Sequence, residues 1–183
     1  MGNIYLFLAE GFEEVEALSV VDIVRRAGLT IQTVSVTGHE TVTGAHGVPV
    51  KADMLFDATT IKREGVMLVL PGGLPGATNL AAHEGLRKVI LDFNTEGRLL
   101  SAICAAPLVY GQLGILKDKK ATCYPGFEKY LEGARTTGAM VEQDDNIITG
   151  KGPGAAFDFG FAIVTRLAGK EKADEVKAGM LLA

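Results

Sequence analysis

Short apolar runs alternate with amphipathic segments along this chain, and the alternation limits the possible folds more than any other feature of the sequence. Residues 3–9, 66–70 and 99–103 are nearly continuous apolar runs, typical of parallel strands covered on both faces. Residues 13–27 and 84–95 have helical patterns. Strands alternating with helices predict βα units, so we expect an α/β fold, a three-layer sandwich in which helices cover a largely parallel central sheet.

Weaker patterns predict the remaining elements. A strand is expected at residues 30–36, and the glycines and proline of residues 40–57 indicate a small hairpin. The other predicted elements are a helix at 105–113, short strands near 121–123 and 147–149, an apolar helix at 155–167 and a charged helix at 171–178. The sequence contains no linker, low-complexity tract or repeat, so we expect one domain over residues 1–183.

Composition excludes two classes of protein. Hydrophobic residues make up 48% of the 183 residues, enough for a sizeable buried core and too many for a disordered chain. The formal net charge of −4 argues against general nucleic-acid binding, which needs clustered lysine and arginine to neutralise phosphates. We therefore expect no nucleic-acid partner.

Cysteine content and hydropathy bear on the compartment. Cys104 and Cys123 cannot form a disulfide framework and no signal peptide precedes Asn3, so a reduced, cytoplasmic location is expected. The nearest approach to a membrane span is residues 99–116, which carry no formal charge but contain Pro107 and two glycines. This stretch predicts a buried strand followed by a buried helix, and no membrane association is expected.

Cys104 is the sharpest chemical signal in the sequence. It follows the predicted strand 99–103 where a helix begins, and the residues two positions away on each side, Ala102 and Ala106, are small. This spacing is similar to a nucleophile elbow, a tight turn that lifts the side chain into a pocket, where a helix N-terminus favours thiolate over thiol. The alternative is a buried, inert cysteine, because free cysteines are commonly core residues. The local pattern leaves both interpretations open.

Glycines and glutamates at other predicted strand ends also allow both a functional and a purely structural interpretation. Gly72 and Gly73 follow the strand 66–70 and either offer backbone N–H groups to an oxyanion or simply end the strand. Glu13, Glu14 and Glu16 either form a solvated cluster at a helix N-terminus, or one of them reaches a pocket at the strand ends.

The histidines give no sign of a metal centre. His39, His46 and His83 fall in no metal-ligand spacing, and no glycine-rich phosphate loop follows a predicted strand. We therefore expect neither a metal nor a nucleotide cofactor.

Four segments together resemble the ThiJ/PfpI superfamily, in particular the branch that contains the Parkinson-disease-linked protein and bacterial YajL. The matching segments are residues 13–28, 68–73, 102–107 and 152–154. They are co-linear with the family pattern over almost the whole chain. The resemblance implies a flavodoxin-like α/β sandwich, no cofactor and a homodimer.

The resemblance also assigns roles to residues. It implies that Cys104 is the reactive cysteine and that Glu16 is the carboxyl beside its sulfur, usually a protonated donor to the thiolate. Gly72 and Gly73 match the backbone oxyanion site, and Ala105 is a further candidate there.

The sequence departs from the branch at three positions. Tyr124, a further candidate for substrate binding, replaces a histidine of that branch and is a poor base at neutral pH. Lys151 and His46 stand where the branch has arginines. These changes bear on anion binding and weaken a peptidase interpretation, which requires a Cys–His pair.

Three functions follow as hypotheses from the resemblance. The first is a glyoxalase- or deglycase-like enzyme that processes methylglyoxal, glyoxal or their early adducts with thiols and amines. The second is a redox-sensing, chaperone-like protein with an oxidisable Cys104. The third, favoured least, is an amidase or peptidase of the PfpI type.

Overall fold

Strands and helices alternate through residues 2–182, the part of the chain that a computed structural model describes. The strands are β1 (Asn3–Leu8), β2 (Ile31–Ser35), β3 (Thr41–Thr43), β4 (Pro49–Lys51), β5 (Met54–Leu55), β6 (Gly65–Leu70), β7 (Leu99–Ile103), β8 (Lys120–Ala121), β9 (Arg135–Thr136), β10 (Val141–Asp144) and β11 (Ile147–Gly150). The α-helices are α1 (Glu14–Arg26), α2 (Ala58–Glu64), α3 (Gly76–Ala82), α4 (Glu84–Thr95), α5 (Pro107–Gln112), α6 (Ala156–Ala168) and α7 (Lys170–Gly179). Short 3₁₀ helices cover Glu128–Tyr130 and Pro153–Ala155.

The central sheet has seven strands in the order β10-β11-β7-β6-β1-β2-β5. Its neighbouring strands are parallel except for the antiparallel pair of β10 and β11. Ile4 in β1 lies between Ile31 of β2 and Met67 of β6, and all three side chains are buried. The prediction of a largely parallel sheet is therefore confirmed.

Helices cover both faces of the sheet in two groups. Helix α1 packs against α6, which packs against α7, while α2, α3, α4 and α5 contact one another in a second group. Ile4, Leu6, Phe7, Leu68 and Leu70 of the central strands β1 and β6 are at most 1% exposed, as their apolar runs predict for strands covered on both sides. The α/β sandwich expected from the sequence is thus confirmed.

The strand order reverses beside β1, and this reversal places the site. The chain leaves β1 for β2 on one side and later returns to β6 on the other side. In open α/β sheets, ligands bind beyond the carboxyl ends of strands where the order reverses. The segments that follow β1, β6 and β7 therefore meet at one crevice.

Several elements differ from the prediction. Helices α2 and α3 were not expected, because each has only seven residues and shows no sustained apolar period. Asp57 begins α2 by accepting a hydrogen bond from the Thr59 N–H (3.0 Å). β3 and β4 form the expected hairpin, but β5 pairs with β2 at the edge of the main sheet, and β9 and β10 were missed.

The uncharged stretch at residues 99–116 forms β7 and α5, as the sequence predicts. Both elements are largely buried. Within residues 2–182, no helix combines the length and the apolar character that crossing a membrane requires.

Candidate active site

Cys104 occupies a tight turn directly after β7. Its φ angle of 64° lies in the left-handed region, which is uncommon for any residue but glycine. Two hydrogen bonds fix this backbone: the Cys104 N–H donates to Gly150 O (2.9 Å), and the Tyr124 N–H donates to Cys104 O (2.9 Å). The Ala106 N–H donates to Ile103 O (3.0 Å) and closes the turn. The geometry matches a nucleophile elbow, with strain held by neighbouring strands and loops.

The helix after the elbow begins later than the sequence predicts. Helix α5 starts at Pro107 rather than at residue 105, because Ala105 and Ala106 belong to the turn. The helix N-terminus, predicted to point at the sulfur and to favour the thiolate, therefore lies further along the chain, and single backbone N–H groups reach the sulfur instead. Burial raises the pKa of the Cys104 thiol, and the N–H groups of Gly73 and Ala105 partly oppose that rise.

Glu16 lies behind Cys104, on the first turns of α1, and is fully buried. Its Oε2 accepts a hydrogen bond from the Gly72 N–H (2.7 Å). Its Oε1 makes no hydrogen bond of normal geometry to any residue in 2–182. A buried carboxyl with so few donors is poorly suited to carry a negative charge.

Gly72 is placed differently from the expectation that it serves an oxyanion site. Its N–H is already used by Glu16, and its backbone runs between the two reactive side chains. A Cβ on Gly72 would lie 2.6 Å from Cys104 Cβ and 2.8 Å from Glu16 Oε2. Glycine is required here so that the carboxyl and the thiol can approach each other, which is a positioning role rather than an oxyanion one.

Glu16 and Cys104 influence each other's protonation. Burial raises the pKa of Glu16 to about 7, against the opposing effects of the Gly72 N–H and the Cys104 thiol. Burial also raises the pKa of the Cys104 thiol, and an ionised Glu16 raises it further. This direction is opposite to the lowered thiol pKa expected from the sequence; protonation of Glu16 removes its charge as a cause but leaves the effect of burial. The two groups form a coupled pair in which charge on one opposes charge on the other.

Cys104 opens onto a cavity of about 260 Å³. Its residues are Glu13, Gly73, Leu74, Cys104, Ala105, Tyr124, Phe127 and Pro153. The structure thus places Gly73, Ala105 and Tyr124 around the same cavity as the thiol, with Glu16 and Gly72 behind it. Cys104 is 8% exposed and lines this cavity, so the cavity gives access to its side chain.

Tyr124 separates the Cys104 cavity from a second cavity of about 200 Å³ that includes Lys151. The half-exposed Tyr124 ring lies edge-on to Phe127, with 6.4 Å between ring centroids. Lys151 Nζ donates to Gly138 O (3.1 Å). Among the described residues no histidine lines the Cys104 cavity, so the Cys–His pair of a peptidase is not formed there.

A cluster that sequence spacing did not reveal forms beside the cavity. Glu14 is buried; its Oε1 accepts from the His46 N–H (2.8 Å), and its Oε2 lies 2.8 Å from His46 Nδ1. Glu13 Oε1 is 3.6 Å from the same nitrogen. The hydrogen bond to Glu14 and the two negative charges raise the pKa of His46. The ligand atoms of these three residues lie within 4.8 Å of one another, although 32 or more positions separate His46 from the glutamates.

A larger cavity of about 510 Å³ lies near the end of α5, beside Lys117, Lys129 and Tyr130. It contains no cysteine or histidine among the described residues. The chemistry that the sequence predicts is therefore concentrated at Cys104, in the smaller cavity.

Comparisons with known proteins identify the family of this chain. The DJ-1/PfpI family model matches residues 2–166. "Protein DJ-1 homolog B" of Arabidopsis thaliana is 40% identical over 179 residues, which is 96% of this chain and 40% of that protein. The chain thus spans less than half the length of this relative. "Glutathione-independent glyoxalase DJR-1.2" of Caenorhabditis elegans is 31% identical over 175 residues, 95% of this chain and 92% of that one.

A solved structure extends the agreement to the fold. "Toxoplasma gondii DJ-1, oxidized" is similar to this chain with a TM-score of 0.93 and 32% identity, and the similarity covers 100% of both chains. The family resemblance drawn from the sequence is confirmed by the match over residues 2–166 and by this shared fold. The chain belongs to the DJ-1/PfpI family.

Proposed function

We propose that this protein is a cofactor-independent cysteine enzyme of the glyoxalase type, acting on methylglyoxal, glyoxal or their early adducts with thiols and amines. The observation that carries the proposal is the strained turn that presents Cys104 to a cavity, with Glu16 buried behind it. The Caenorhabditis elegans relative that is named a glyoxalase supports this choice.

The first step of the proposed mechanism is ionisation of Cys104 with the proton held by Glu16. A thiolate at Cys104 accepts hydrogen bonds from the N–H groups of Gly73 and Ala105, and 8% of the residue is exposed. A carboxylate at Glu16 would receive the Gly72 N–H and the weak S–H donor of Cys104, and it would be fully buried. The negative charge is better solvated on the sulfur, and a protonated Glu16 adds a donor to it.

The thiolate then attacks the aldehyde carbon of the dicarbonyl and forms a hemithioacetal. Its oxygen takes up the proton of Glu16, and the N–H groups of Gly73 and Ala105 stabilise the negative charge that develops on it. The Glu16 carboxylate removes the hydrogen from the former aldehyde carbon and returns it as a proton to the neighbouring carbon. The hydroxyl proton moves to the neighbouring carbonyl oxygen, which leaves a 2-hydroxy thioester. Water hydrolyses the resulting thioester, so methylglyoxal and one water give lactate and free Cys104.

Loss of Cys104 is expected to abolish this turnover. In Cys104→Ser, a hydroxyl that is hardly ionised at neutral pH replaces the nucleophile, and lactate formation from methylglyoxal falls to background. The measurement is lactate released by wild type, Cys104→Ser and Cys123→Ser, the last of which retains activity because Cys123 does not line the cavity. Full turnover in Cys104→Ser contradicts the proposal.

A redox role is the second candidate function, and the cavity access of Cys104 favours it. The similar Toxoplasma gondii structure is described as oxidized. Intact mass after mild peroxide, measured on the same proteins, distinguishes the two roles. Absence of turnover together with a gain of two oxygens at Cys104 favours the redox role.

We propose that this chain forms a homodimer, as its resemblance to the family implies. Val15 and Leu18 on α1 are 52% and 40% exposed, and Val48 beside the hairpin is 47% exposed. The Val48 N–H donates to Glu14 Oε1 (3.4 Å), so these apolar side chains lie on neighbouring segments. Light scattering with reductant present is expected to give twice the 19.3 kDa chain mass. A monomer at micromolar concentration contradicts this prediction.

A further inference from the structure

We propose that Glu13 makes the Cys104 cavity selective for uncharged or cationic carbonyl compounds and against anionic ones. The inference rests on the proposed function, because it takes Cys104 to be the group that reacts. It adds a substrate class and a residue that determines specificity.

The charge on the cavity wall is the first observation. Among the described residues that line the cavity, Glu13 is the only one with a formally charged side chain apart from the thiolate itself. Its side chain is 13% exposed, so water screens its charge only partly. Its negative charge also contributes to raising the pKa of Glu16, which shows that its field reaches the carboxyl behind Cys104. An anionic compound entering the cavity therefore meets a carboxylate at the wall and a thiolate at its target.

The nearby cations do not offset this charge inside the cavity. His46 Nδ1 is 3.6 Å from Glu13 Oε1, but it is closer to Glu14 (2.8 Å), and its side chain is 69% exposed. Even when it is protonated, His46 therefore balances at most one of the two carboxylates. Lys151 lines the neighbouring cavity, beyond Tyr124, and donates to Gly138 O. The Cys104 cavity remains negative.

A backbone hydrogen bond, and not a capping hydrogen bond of its side chain, holds Glu13 in place. Its N–H donates to Gly72 O (2.9 Å), which holds the residue against the loop that carries Gly73. Glu13 precedes the first residue of α1, yet its side chain makes no capping hydrogen bond. Glutamine at this position removes the charge without removing a hydrogen bond of the helix terminus.

Alkylation of Cys104 by iodoacetamide and iodoacetate tests the proposal without requiring turnover. Both reagents react with the thiolate and release iodide, but only iodoacetate is anionic, so their rate ratio cancels any change in thiol pKa. We expect Glu13→Gln to raise the iodoacetate rate relative to iodoacetamide by about five-fold. Glu13→Lys is expected to raise it further, whereas Glu13→Asp keeps the wild-type ratio. Rates are measured by peptide mapping in a Cys123→Ser background.

Asp22→Asn is the matched control, since it removes the same charge from an exposed position on α1, where Asp22 pairs with Arg26 (2.7 Å). Its ratio is expected to equal that of wild type. An unchanged ratio in both Glu13→Gln and Glu13→Lys overturns the proposal, and so does an equal change in Asp22→Asn, which would indicate overall charge. Absence of methylglyoxal turnover in the wild type contradicts the proposed enzyme activity. The alkylation ratio does not depend on turnover, so it tests the selectivity of the cavity independently.

Discussion

Replacement of Glu16 by leucine is expected to slow alkylation of Cys104 at pH 7 by about 10- to 100-fold. A hydrogen bond to a charged group contributes roughly 1.5–3 kcal/mol, and each 1.4 kcal/mol changes the thiolate fraction about tenfold. Leucine fills a similar buried volume but removes the hydrogen-bond donor to the thiolate, so the pKa of the thiol rises. The measurement is the pH dependence of iodoacetamide labelling, with peptide mapping to separate Cys104 from Cys123.

Glutamine at the same position separates the two roles proposed for Glu16. Glu16→Gln keeps a hydrogen-bond donor, so the pKa of Cys104 rises less than in Glu16→Leu. Neither variant can transfer a proton, and methylglyoxal turnover is expected to fall by about 100-fold or more in both. Asp22→Asn serves as the control and keeps both the wild-type pKa and the wild-type turnover.

Faster labelling of Cys104 in Glu16→Leu would point to the opposite placement of the proton. If Glu16 is ionised and Cys104 holds the proton, burial and the negative charge of Glu16 together raise the thiol pKa. Its removal in Glu16→Leu would then lower that pKa and speed the labelling. Faster labelling would therefore contradict the assignment of the proton to Glu16.

Gly73→Ala is expected to cost about 3–5 kcal/mol of unfolding free energy. Gly73 has a φ of 86°, and a Cβ there would lie 2.4 Å from Gly11 O and 2.5 Å from Glu13 N. Both contacts are with backbone atoms, which cannot rotate away, so steric overlap adds to the cost of the left-handed conformation. Urea denaturation measures the loss.

Gly28→Ala is the matched comparison for this prediction. Gly28 has a similar φ of 75°, but a Cβ would meet no atom within 4 Å. Only the backbone conformation is then strained, and the expected cost is about 1–2 kcal/mol. Equal losses in the two variants would show that the loop around Gly73 relaxes and that close packing there is not required.

The sequence determined the framework of this protein because its signals are local. The buried strands β1, β6 and β7 follow from continuous apolar runs, and α4 follows from its helical pattern over Glu84–Thr95. The small residues around Cys104 predicted a turn that requires close approach, and the φ of 64° at Cys104 agrees with it. Each of these inferences concerns neighbours in the chain.

Tertiary structure decided which distant groups meet. The N–H of Gly72 binds Glu16 across 56 positions and so is not free for an oxyanion, although the Gly72-Gly73 pair matched an oxyanion site by sequence. His46 approaches Glu13 and Glu14 because the hairpin folds back onto the start of α1. The three glutamates near the start of α1 have different places. Glu16 is buried behind the thiol, Glu14 bonds to His46 of the hairpin connection, and Glu13 lines the cavity. Periodicity reports burial along one element, whereas these roles depend on distances between elements, which only the packing of the whole chain sets.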